Sequence, residues 1–206
     1  MKKTICLILS IFFFSAILFS QQDFLFRGLP WYSTPDQIKE KEGQPKTIEE
    51  EKNLLWYQYE NKEVAGYSTY LEYFMDPYEP YRMFMASYLL DIKKTNLMLQ
   101  EPDPTSFINA YVDLQGKLIS VYGNPKSRKN LDRIEGRIST LMAQQYRSGS
   151  PYATAWETGI TRVYLLLIYN QKPSSYSVQI LYVTKNNWDW VEENLLGIPS
   201  KNTDGL

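Results

Sequence analysis

Histidine is absent from all 206 residues, and cysteine occurs once, at Cys6. The first absence removes the commonest general base, every nucleophile arrangement that relies on imidazole, and the usual nitrogen ligands for zinc, copper and non-haem iron. The second removes a disulfide framework, so stability has to come from an ordinary packed core. No G-x-S-x-G elbow, S-x-x-K pair, P-loop, dinucleotide-binding glycine turn or EF-hand loop occurs either. An excess of positive charge is also missing. The 22 basic residues face 23 acidic ones, which excludes the basic stripe of a nucleic-acid binder. These absences lead to the expectation of a protein without catalytic residues, cofactor or metal site. The chemistry left open is a pair of carboxylates, a Ser-Lys arrangement or an all-oxygen calcium site.

What is present begins with an export signal. Lys2 and Lys3 precede an almost unbroken apolar run from Ile5 to Phe19, and Ser20 offers a small residue for cleavage. At ~1.5 Å per helical residue the run is too short for a ~30 Å hydrocarbon core. Residues 1–20 are therefore expected to be a signal peptide, not an anchor. Cys6 lies near the start of the run, where it cannot receive a lipid after cleavage. Without Lys2 and Lys3 the remaining chain carries about −3, a solubility margin. It is expected to work in the periplasm or outside the cell, with no stable membrane anchor.

The pattern of the remainder predicts an α+β fold over residues 21–199: an antiparallel sheet packed by helices on one face. Thr34, Pro35 and Gln37 form a helix start with the elements of a capping box, and Gly43-Gln44-Pro45 stops that helix. Strands are expected over residues 54–60, 63–75 and 82–93, with Asn61-Lys62 and residues 76–80 as the turns. The pattern then starts again. Asp103-Pro104 opens a second helix with an apolar stripe of Phe107, Ile108, Tyr111, Val112, Leu118, Ile119 and Tyr122, and Gly123-Asn124-Pro125 closes it. Strands follow over residues 153–158, 161–169 and 176–184. A last helix over residues 188–196, with Asn187 as N-cap, ends at Gly197-Ile198-Pro199, and residues 200–206 form a tail. The chain thus reads as two helix-plus-three-strand repeats, residues 23–100 and 101–185, with an appended C-terminal helix. Between them, Leu131, Ile134, Ile138, Leu141, Met142 and Tyr146 have helical spacing. Arg128, Lys129, Arg133 and Arg137 would give that helix a basic, solvated side.

Two features bear on function. Carboxylates cluster at Glu49-Glu50-Glu51, at Glu101 with Asp103, and at Asp189, Glu192 and Glu193. A glycosidase would need two such groups about 5–10 Å apart across a cleft. Polar connection, helix capping and helix-dipole pairing explain the three clusters more simply. Tyrosine is abundant, 17 in the chain. Tyr57, Tyr59, Tyr67, Tyr70, Tyr73, Tyr78 and Tyr81 fall in the first strand set or its turns, either as strand residues edging the core or as a contact surface.

The segment Phe26-Arg27-Gly28-Leu29-Pro30-Trp31, with Ser33, Thr34, Ile38 and Gly43-Gln44-Pro45, resembles the opening of exported bacterial modules. These begin F-x-G-(I/V)-P-W-G-(S/T)-(S/T/P), pass through a short helix and close on G-x-P. Such modules are similar to the helix-plus-meander repeats of beta-lactamase-inhibitor-like and outer-membrane-assembly lipoprotein folds. The resemblance covers about a tenth of the chain and implies a binding or envelope role without an active site. The chain departs from the pattern at Tyr32, where glycine is expected. From the residues themselves, Trp31 should plug the core beside the first helix, and Gly28 should permit a close approach. The functional expectation is a non-catalytic binding protein that holds another envelope or secreted protein through its sheet face or edge. A carboxylate-dependent glycan hydrolase and a structural subunit self-assembling through edge strands are the alternatives.

Overall fold

The computed structural model describes residues 25–51, 54–76, 80–91, 104–129, 152–171 and 174–194. The signal peptide expected over residues 1–20, the Glu101/Asp103 pair, Tyr78, the helix expected around residues 131–146 and the expected C-terminal stop and tail lie outside them. Chain order is a small hairpin β1 (Leu25–Phe26) and β2 (Leu29–Pro30), then α1 (Pro35–Glu42) and strands β3 (Thr47–Glu51), β4 (Leu54–Val64), β5 (Tyr67–Met75) and β6 (Met83–Leu90). A second helix α2 (Pro104–Tyr122) leads to β7 (Ser127–Lys129), β8 (Tyr152–Thr158), β9 (Thr161–Gln171) and β10 (Ser174–Thr184). A 3₁₀ turn, Lys185–Asn187, then feeds α3 (Trp188–Asn194). The expected α+β class holds. Among the described residues no helix is long and apolar enough to cross a membrane.

The strands form one antiparallel sheet of eight in the order β3-β4-β5-β6-β10-β9-β8-β7. That order is its own mirror: the strands of the second half retrace those of the first. The register at the joint obeys the same symmetry, because Met85↔Val183 and Leu89↔Gln179 lie on either side of Ser87↔Leu181. Local details repeat as well. Each helix closes with a glycine N–H donated four residues back, Gly43 to Lys39 O at 2.9 Å and Gly123 to Ile119 O at 2.8 Å. After each Gly-x-Pro a lysine N–H starts the edge pairing, Lys46 to Gln58 O and Lys126 to Ala155 O. The same two lysines send their side chains to Glu60 and Glu157. The two units are thus related by a pseudo-two-fold axis through the β6/β10 joint.

Each unit carries the three strands expected of it and a short fourth one, β3 or β7, directly after its helix stop. Glu49-Glu50-Glu51 is therefore edge strand, not loop. Arg128 and Lys129 belong to β7 and not to a basic helix side. The expected turn at Asn61-Lys62 is instead a bulge inside β4, between Tyr59 and Lys62, with Asn61 left-handed at φ 56°. The chain reverses at Ala65-Gly66, where both residues have positive φ as a two-residue type I′ hairpin needs. The sequence signal misleads here because asparagine serves a bulge as readily as a turn, while Val64-Ala65-Gly66-Tyr67 reads as continuous strand.

Burial divides the sheet into two faces. On the first, α1 contributes Ile38 and α2 contributes Phe107, Ile108, Tyr111, Leu114 and Leu118, packed on Leu71, Tyr73, Tyr88, Leu165, Val178 and Ile180. Burying each such side chain contributes roughly 1.5–3 kcal/mol. The expected α2 stripe includes Val112, but Val112 is exposed and Leu114 takes its place, completing a 107-111-114-118 spacing. Both repeat helices share this face. The appended α3 sits against the other, where Val191 and Trp188 join Phe84, Met85, Tyr164, Leu166 and Val183. Its entry differs slightly from expectation: Asn187 closes the 3₁₀ turn and accepts from the Thr184 hydroxyl.

Candidate functional site

Glu42, the last residue of α1, points beneath its helix onto the first face with only 2% of its side chain exposed. Arg27 Nε donates to Oε1 at 2.8 Å, Lys62 Nζ to Oε2 at 2.8 Å and the Tyr73 hydroxyl to Oε1 at 2.9 Å. The backbone aims both cations from left-handed residues. Arg27 itself has φ 54°, in the Arg27-Gly28 turn between β1 and β2, and the Asn61 bulge redirects Lys62. Gly28 is required there for its φ of 83°, not for the close approach expected of it, since an added Cβ would meet only the flexible Lys41 side chain. Burial alone would raise the Glu42 carboxyl, but the donors from Arg27, Lys62 and Tyr73 outweigh it and hold the pKa below the ordinary value. Burial and the nearby carboxylate push the Tyr59 phenol to about 12. This is a fixed, ionised carboxylate with its lone pairs engaged, a poor acid or base at neutral pH.

The second face holds the opposite case. Glu72, 7% exposed, accepts from Ser87 Oγ at 2.6 Å and Gln58 Nε2 at 3.1 Å, and Gln179 Nε2 reaches both Ser87 Oγ and Glu72. Gln58, Glu72 and Ser87 are directly paired across β4, β5 and β6, so one polar row runs up to the pseudo-two-fold axis. Its hydrogen-bonding partners are all neutral. Burial lifts the Glu72 carboxyl above its ordinary value, and the Ser87, Gln58 and Gln179 donors only partly counter that. With the folded pKa above the unfolded one, the native state holds the extra proton, so stability declines as pH rises from the unfolded value through the folded one. Glu72→Gln should therefore raise stability at pH 7 by about 1 kcal/mol and give no gain below the ordinary carboxylate range. Urea melts at pH 7 and pH 3.5 check the sign.

A third arrangement lies at the end of the sheet where β6 begins and β10 ends. Tyr32 follows Trp31 in the turn before α1 and has φ 66°, a conformation glycine adopts freely and a bulky side chain does not. Its backbone is bound to Met83 O at 2.8 Å, and its hydroxyl accepts from Asn186 Nδ2 at 3.2 Å. Ile160, in the β8–β9 turn, is tied to the same 3₁₀ turn through Lys185 N. Trp190 of α3 meets Phe84 edge-on at 5.9 Å. Tyr32, Ile160 and Trp190 stay 43%, 47% and 45% exposed. Beneath them, Trp31 is buried and donates from its indole to Thr161 Oγ1 at 2.8 Å, joining the first hairpin to the second unit.

The two carboxylate clusters among the described residues do not converge. Glu49-Glu50-Glu51 occupies the outermost strand, whereas Asp189, Glu192 and Glu193 belong to α3, against β10. Four strand spacings of ~4.8 Å separate β3 from β10, roughly 19 Å in all, well beyond the separation a glycosidase pair requires. Glu192 is engaged in structure: it accepts from Arg162 and the Tyr164 hydroxyl, while Arg162 stacks 3.9 Å over the Trp188 ring and so pins α3 to β9. Among the described residues no group of three potential ligands could hold a metal ion. Tyr57, Tyr59 and Tyr73 are buried under the helices, Tyr67 and Tyr81 pack partly against the same core, and Tyr70 lies on the second face in the row of Glu72. The described tyrosines of the first strand set are therefore mainly core and not a displayed sheet surface.

No family model, curated protein or solved structure matches this chain.

Sequence reasoning passed over Glu42, Lys62 and Glu72. Glu42 looks like any charged residue in the last turn of a helix, and Lys62 like part of a turn. Glu72 alternates correctly with Tyr70, and only the sheet order reveals that both sides of it are occupied. Tyr32 carried the one visible signal, a large residue where the resembling pattern has glycine.

Proposed function

We propose that this chain is an exported, non-catalytic binding protein that grips an envelope or secreted protein through the Tyr32–Ile160–Trp190 end of its sheet. The reading rests on Tyr32. Holding a bulky residue in the left-handed region costs of order 1–3 kcal/mol, and such strain persists where the residue serves a purpose other than stability. The product of that strain is an aromatic ring left nearly half exposed at the end of the sheet that also carries the exposed Ile160 and Trp190, with Asn186 and Arg82 bonded to Tyr32 and Lys185 to Ile160. Aromatic anchors within a polar rim are the composition of protein contact sites. The resemblance of residues 26–45 to exported modules supports the same reading, and so does the charged N-terminus followed by an apolar run.

Two substitutions separate the strain from the contact. Tyr32→Ala and Tyr32→Gly both remove the ring, but only glycine relieves the backbone, so the glycine variant should be about 1 kcal/mol more stable than the alanine variant. Both should reduce capture of the partner at least tenfold while far-UV circular dichroism stays unchanged, and Trp190→Ala should do the same. Full capture by all three variants would remove the end of the sheet from the binding reading.

A further inference from the structure

We propose that copies of this chain also join head to tail, β3 of one copy adding to β7 of the next, so that the antiparallel sheet continues from molecule to molecule. Three observations carry this. First, among the described residues β3 and β7 are the outermost strands and each pairs with one strand alone, β4 and β8. Such strands present a row of unpaired N–H and C=O groups that templates a further strand. Second, the direction fits. Strand direction alternates at every step across the eight strands, so β3 and β7 run oppositely. A second copy placed by translation in the sheet plane sets its β3 antiparallel to the first copy's β7, keeping the helices of both on one side.

Third, the charges select this joint over the others. The two edges occupy equivalent places in the two units, each directly after Gly-x-Pro-Lys, yet their sequences have opposite sign: Thr47-Ile48-Glu49-Glu50-Glu51 against Ser127-Arg128-Lys129. Glu49 and Glu50 are exposed and have no ion-pair partner among the described residues. Charges of either sign blunt an edge, and edges of one common sign would keep copies apart. Opposite signs make β3 meeting β3 or β7 meeting β7 repulsive and β3 meeting β7 attractive. The contact is heterologous and does not close by itself, so with the right-handed twist of the sheet it would generate a winding row of copies. A three-residue overlap is a small interface, so association is weak, concentration-dependent and salt-sensitive.

Charge reversal tests it. Sedimentation velocity of the purified protein at about 50 mM salt should show a boundary that keeps moving to larger species with concentration, and at about 500 mM salt a monomer. Glu49→Lys with Glu50→Lys makes both edges basic, and Arg128→Glu with Lys129→Glu makes both acidic. Each double variant alone should associate at least tenfold more weakly. An equimolar mixture of the two should recover association, which also shows that each is folded. A protein monomeric at every concentration in low salt would overturn the proposal. So would a dimer that does not grow, or double variants that associate like the unaltered chain.

Discussion

Glu42→Ala is expected to lower the free energy of unfolding by about 3 kcal/mol at neutral pH, the low end of what breaking a buried ion pair costs. The low end applies because the two cations left behind, Arg27 and Lys62, keep 32% and 25% of their side chains exposed and can rehydrate. The pH dependence gives the stronger test. The folded Glu42 carboxyl lies below the ordinary value of 4.5 because Arg27, Lys62 and Tyr73 outweigh its burial. Its stabilisation is therefore complete above the unfolded pKa and is lost as pH falls through the folded one. The gap between the unaltered protein and Glu42→Ala should close in acid, while Glu72→Gln, whose group titrates in the opposite sense, should gain its advantage only as pH rises. Chemical denaturation from pH 3 to pH 8 reads both.

Trp31→Ala should cost about 4 kcal/mol, because it removes a buried indole ring and leaves the Thr161 hydroxyl without its donor. Trp31→Phe keeps most of the packing against Phe26 and should cost about half as much. The account also requires cooperativity. Trp31 spans the two units, and β6 pairs with β10 over five residues at the joint, so neither unit keeps a complete core alone. Unfolding of both variants should remain a single transition with coincident fluorescence and circular dichroism. Two separated transitions would mean that the halves are independent domains.

The repeated Gly-x-Pro stops and the two strand sets were legible because each is a local signal: left-handed glycine, a proline that blocks the helix, alternating apolar residues. Those signals carried the α+β class and the strands on either side of the β6/β10 joint. The short edge strands escaped because Thr47–Glu51 and Ser127–Lys129 have little apolar alternation to display, and they are strands only because β4 and β8 offer them partners. The Asn61 bulge and the Ala65-Gly66 turn were exchanged because both need the left-handed region, and sequence does not say which of two nearby positions supplies the reversal. The Glu42 site is less legible still. Its donors come from positions 15, 20 and 31 residues away, and nothing in their types distinguishes a converging set from scattered surface charge.

Site-specific photocrosslinking in cells tests the central claim most directly. A benzophenone side chain at position 185 replaces an exposed lysine bordering the proposed contact and leaves Tyr32, Ile160 and Trp190 in place, and one at position 121 lies on the outer side of α2, where Val121 is 70% exposed. The account predicts one discrete adduct with an exported protein from position 185, lost on Tyr32→Ala, and none from position 121. Equal adducts from both positions, or an adduct from 121 alone, would contradict it.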